Sequence, residues 1–72
     1  MPARIYYIVR PSADRWEVRS GLDGAPSTFV SAQEALQAAK GAARKHWQSR
    51  GEPSGVLFEL ADSSAREEAL FG

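Results

Sequence analysis

The sequence predicts a small α+β domain: one α-helix packed on one face of a small antiparallel β-sheet of three to four strands, in the order β-β-α-β-(β). Three observations predict it. Two stretches near the N-terminus alternate apolar and polar residues with the period of a strand, Phe29 to Gly51 carries the start signal, apolar stripe and stop signal of one helix, and Val56 to Leu60 returns to the strand period. Seventy-two residues make a single domain over 1–72, near the lower limit at which an apolar core holds a chain folded. With no cysteine, disulfides and thiolate zinc sites are excluded, so the fold must rest on packing.

The first strand runs from Arg4 to Arg10, with Ile5, Tyr7 and Val9 pointing one way and Arg4, Tyr6, Ile8 and Arg10 the other. Pro11, Ser12, Ala13 and Asp14 are turn residues, and Trp16 and Val18 then alternate with Arg15, Glu17 and Arg19 in a second strand that completes a hairpin. Gly21 to Ser27 reads as an exposed loop, and Thr28 to Val30 leads out of it.

Ser31 stands three residues before Glu34, the spacing of a capping box, so a helix is expected to begin near Ala32. At 100° per residue, Ala32, Ala35, Leu36, Ala39, Ala42, Ala43, His46 and Trp47 share one arc. An arc of alanines lies close to a sheet, so Trp16, Trp47, Leu36, Phe29 and Phe58 are expected to supply the bulk of the core. Glu34 at the start and Lys45 and Arg50 near the end complement the helix dipole, and Gly51 followed by Pro53 stops the helix.

In the next strand Val56, Phe58 and Leu60 face one side and Leu57 and Glu59 the other. The last segment has two readings. Ser64 with Glu67 fits a capped short helix running to Leu70, and Asp62 with Ser63 and Ser64 fits a turn into a fourth strand.

The longest apolar run, Ile5 to Val9, is far shorter than the ~20 residues that cross a bilayer, and no secretory signal is evident, so a soluble cytoplasmic protein without membrane contact is expected. Nine basic and nine acidic residues cancel overall. They are unevenly placed: residues 1–50 carry a net +4 and residues 51–72 a net −4.

The order of elements, with Val9-Arg10-Pro11, Trp16-Glu17-Val18, Phe29, Ser31, Glu34-Ala35, Ala39, Ala43 and a terminal Phe71-Gly72, resembles a family of short bacterial proteins known as the domain-of-unknown-function family twenty-one eighty-eight. The resemblance covers nearly the whole chain. It implies that the last segment is a strand ending at an aromatic-Gly pair, and it implies no catalytic residue; the family's Asp-Gly turn is replaced here by Asp62-Ser63.

No constellation announces catalysis, and neither an enzyme nor a cofactor is expected. His46 is the only histidine, so a metal would lack the usual paired imidazoles; its place in the alanine arc reads as a packed or helix-end residue. The serines lack a base and an orienting acid at any readable spacing. Adjacent Glu67 and Glu68 read as solvated surface, and Gly21 to Gly24 lacks the phosphate-binding pattern. Gly41, on the polar arc, is either tolerated or leaves room for a partner's backbone.

The sheet face turned away from the helix is the functional clue. One helix covers one side, leaving Arg4, Tyr6, Ile8, Arg10, Arg15, Glu17 and Arg19 on the other, where Tyr6 and Ile8 are costly if left wet. The interaction residues expected are Arg4, Tyr6, Ile8, Arg10, Arg15 and Arg19. They suit self-association or a protein partner, with arginines as polar rim; the alternative, nucleic acid read by strand arginines, is disfavoured by zero net charge.

Overall fold

The computed structural model describes residues 4–20, 26–60, 62 and 64–72. It is α+β, with β1 (Ile5–Ser12), β2 (Arg15–Ser20), β3 (Ser27–Phe29), α1 (Ala32–Arg50), β4 (Ser54–Glu59) and β5 (Ala65–Phe71). The loop motif from Gly21 to Gly24 lies outside the described residues.

The sheet has five strands in the order β3-β2-β1-β4-β5. β1 and β4 pair in parallel, while the other three pairings are antiparallel. This corrects the expected antiparallel sheet of three to four strands, and the reason is a matter of parity. β3 is only three residues long, too short to display a period, yet it reverses the chain once more before the helix. Nineteen helical residues, about 28 Å at 1.5 Å each, then carry the chain the full length of the sheet and deliver β4 alongside β1 in the same direction. The last segment is a strand, as the resemblance implied, hydrogen-bonded to β4 with a bulge between Val56 and Leu57.

The helix obeys its local signals. Ser31 is extended and its hydroxyl accepts the Glu34 amide at 3.2 Å, while Gly51 at φ 70° donates its N–H to the Trp47 carbonyl at 2.8 Å. Ala35, Ala39, Ala43 and His46 are its buried residues, and it packs mainly on β1 and β4. Val9, Val56 and the three alanines are fully excluded from water, with Tyr7, Trp16, Val18, Leu36, Phe29 and Phe58 packed around them. Because alanine lets the backbones approach, the Ser54 hydroxyl reaches the helix itself, donating to the Ala43 carbonyl at 2.6 Å.

One expected core residue lies outside the core, and one residue expected within the strand from Val56 to Leu60 lies past its end. Trp47 is 41% exposed, at the margin of the arc in the final turn, with its indole against Gly72. Leu60 falls just past the end of β4, where the chain turns, and is 39% exposed. Near the end of β4, the Phe58 ring packs against Trp16 with centroids 5.4 Å apart and a tilt of 38°, and lies under the Arg66 guanidinium at 5.8 Å.

Candidate interaction face

The face of the sheet opposite α1 is built by strand alternation. Cross-strand pairing lines its residues into rows. The central row runs Arg19, Ile8, Leu57, Glu67 across β2, β1, β4 and β5. On one side of it stand Tyr6, Gly55 and Leu70. On the other stand Glu17, Arg10, Glu59 and Ala65, with Arg10 joined to Glu17 by pairing and to Glu59 by an ion pair at 3.9 Å.

The middle of this face is apolar. Tyr6, Ile8 and Leu57 are half-buried and Leu70 is 52% exposed. Gly55 is what allows them to close up: a Cβ there would stand 3.0 Å from Tyr6 Cε1, 3.1 Å from Leu70 Cδ2 and 2.9 Å from the Ala69 carbonyl oxygen. The Tyr6 hydroxyl donates to Glu67 Oε2 at 3.1 Å. Partial burial first, and this hydrogen bond and the Glu67 charge after it, hold the Tyr6 phenol above its ordinary pKa, with Arg4 opposing.

The arginines expected on this face are largely engaged. Glu17 is buried, and a buried carboxylate requires partners. Arg10 and Arg19 supply them at 3.6 and 3.2 Å, Arg19 also donating a hydrogen bond. Arg4 donates to the carbonyl oxygens of Ser54, Phe71 and Gly72 at 2.8, 3.1 and 3.2 Å, fastening β1 to the start of β4 and the end of β5. Arg15 is exposed beside the Ala13–Asp14 turn.

The sequence placed Arg4, Tyr6, Ile8, Arg10, Arg15 and Arg19 on one face; strand alternation puts Tyr6, Ile8, Arg10, Arg15 and Arg19 on the same side of β1 and β2, while Arg4 precedes β1 and reaches the carbonyl oxygens of Ser54, Phe71 and Gly72. It left out Leu57, Glu59, Glu67 and Leu70, which complete the face from β4 and β5. Leu57 and Glu59 were legible as one side of their strand; what was missing was that strand's place beside β1.

Elsewhere, His46 Nε2 lies 3.0 Å from Glu52 Oε1 but off hydrogen-bond alignment, so among the described residues this buried nitrogen lacks an aligned partner. A cleft of ≈ 150 Å³ between α1 and the β1–β3 side is lined by Tyr7, Val18, Ser20, Ser27, Phe29, Ala38 and Ala42. Among the described residues no three of His, Asp and Glu gather as metal ligands, and no helix is long and apolar enough to cross a membrane. Comparison with family models, with curated proteins and with solved structures finds no match to this chain.

Proposed function

We propose that this chain is a small non-enzymatic interaction module that binds a protein surface through the open face of its sheet. One observation carries the reading: an apolar centre of Tyr6, Ile8, Leu57 and Leu70 lies uncovered by the helix, flanked by Arg10, Arg19, Glu17 and Glu59, which pair with one another. An apolar centre with a polar rim is the anatomy of a protein contact. Binding nucleic acid needs cations free to replace counterions on phosphates. Arg10 and Arg19 are engaged by Glu17, and Arg4 by carbonyl oxygens, which weighs against that alternative.

The test is site-specific photo-crosslinking in extract of the source organism, with the chain added up to concentrations on the order of 1 mM so that weak contacts are populated. A photoreactive residue in place of Ile8 is expected to give discrete protein adducts, and one in place of Lys40, on the exposed side of α1, none. No adduct from position 8, or equal adducts from both positions, refutes the assignment. A labelled nucleic-acid probe retarded at low salt, with affinity falling steeply as salt rises, would move the reading to nucleic acid.

A further inference from the structure

Building on that interaction face, we infer that the protein it binds is a second copy of this chain, packed face to face about a two-fold axis that runs parallel to the strands between β1 and β4. Any two-fold contact between identical surfaces requires self-complementarity, and this face has it.

The central row reads Arg19, Ile8, Leu57, Glu67 from β2 to β5. It is basic at one end, acidic at the other and apolar between. A two-fold axis along the strands reverses the row left to right while keeping its height. Arg19 of each copy then meets Glu67 of the other, and Ile8 meets Leu57. The same operation sets Arg10 over Glu59 and Glu17 over Ala65 in the adjacent row, since these occupy matching strands. An axis across the strands would instead stack arginine on arginine. Only the first arrangement matches charge with charge, and it leaves the two sheets in the aligned packing that twisted sheets favour.

The area sets the strength. Five strands at about 4.8 Å spacing, most six to eight residues long, give a footprint of roughly 500 Å² per copy, below the ~800 Å² of a standard stable interface. The dimer is therefore weak and reversible, and must be sought up to concentrations on the order of 1 mM.

Sedimentation equilibrium at low salt is expected to show the mass rising with concentration from 7.9 kDa toward twice that value. Arg19→Glu alone and Glu67→Arg alone each create two like-charge contacts by symmetry, and each should weaken association at least about tenfold. An equimolar mixture of the two variants should recover it, because every contact in the mixed dimer is again opposite in sign. A chain that stays monomeric throughout, or a mixture no tighter than its components, overturns the proposal.

Because a carboxylate at position 19 stands beside Glu17, folding of Arg19→Glu is checked by circular dichroism. A second measurement avoids that substitution. Arg19→Cys and Glu67→Cys chains, clean probes in a protein without cysteine, should give the mixed disulfide in clear excess over both homodisulfides on mild oxidation; a statistical mixture overturns the geometry. Photo-adducts from position 8 to a different protein, without self-association, would remove the second copy while leaving the interaction face standing. Absence of both removes the face as well.

Discussion

Replacing glycine by alanine should have opposite effects at two positions of this chain. Gly41 lies on the exposed side of α1, where a Cβ meets nothing within 4 Å. There Gly41→Ala should stabilise by about 1 kcal/mol, the difference in helix propensity. Gly55 lies in β4 between two neighbouring strands, where the same methyl would stand 2.9 Å from the Ala69 carbonyl oxygen. That oxygen is backbone and cannot rotate away, so β5 must move or the ladder must stretch. Overpacking of this kind costs about 1–3 kcal/mol, offset by about 0.5–1 kcal/mol from the lower flexibility of alanine in a strand. The net expectation for Gly55→Ala is a loss of about 1–2 kcal/mol. At about 4–8 °C per kcal/mol for a domain of this size, the two variants should melt on opposite sides of the parent, separated by at least about 8 °C. Urea unfolding followed by tryptophan fluorescence, with the half-buried Trp16 as reporter, measures both midpoints at constant slope. A Gly55→Ala variant as stable as Gly41→Ala would refute the close approach of Tyr6, Leu70 and the β5 backbone over Gly55.

Four further outcomes are expected. Val9→Ala should cost about 2–3 kcal/mol, because Val9 is fully buried in the core between sheet and helix and its truncation leaves a cavity there. Ala13 adopts φ 56°, a left-handed conformation unfavourable for alanine, so Ala13→Gly should gain up to about 1 kcal/mol in thermal unfolding. The Asp62 carboxylate accepts the Ser64 hydroxyl at 2.6 Å and the Ser64 amide at 3.1 Å, which lowers its pKa. Its stabilisation is therefore present above the unfolded-state pKa and is lost as pH falls through the lower folded-state value; Asp62→Ala should remove that part of the acid dependence, read from urea midpoints across the acid range. Ultraviolet titration should show a tyrosine ionising above the ordinary phenol range, and Glu67→Gln should move it back only in part, since partial burial, the larger cause, remains.

The bounds and caps of the helix were legible because their information is local, although Trp47, at the margin of the arc, lies outside the core. Ser31, Gly51 and the alanine arc each act within a turn or two of their own position, and no distant residue overrides them. The first two strands were legible for the same reason. The strand neighbours of β1 were not. Three residues from Ser27 to Phe29 decide the direction of everything after them, and a segment that short has no period to read. Burial of Glu17 was equally hidden: its alternation with Trp16 and Val18 assigns it to the open face, and only the cross-strand Arg10 together with Arg19 encloses it there. The candidate face was half legible, since β1 and β2 declare their own residues while Leu57, Glu59, Glu67 and Leu70 join it through pairings that span the chain.

The parallel seam between β1 and β4 also sets an order of events in folding. It joins Ile5 to Ser54, residues 49 apart, whereas the β1–β2 and β4–β5 hairpins close over short turns. Loop closure over such a span must precede any contact it makes, so the two hairpins and the helix should form early and the seam late. Substitutions at Ile5, paired with Ser54 across the seam and absent from both hairpin registers among the described residues, should then act mainly by speeding unfolding, while relief at the Ala13 turn should speed folding. The molecule behaves, on this account, as two hairpins that acquire a common sheet only at their final encounter.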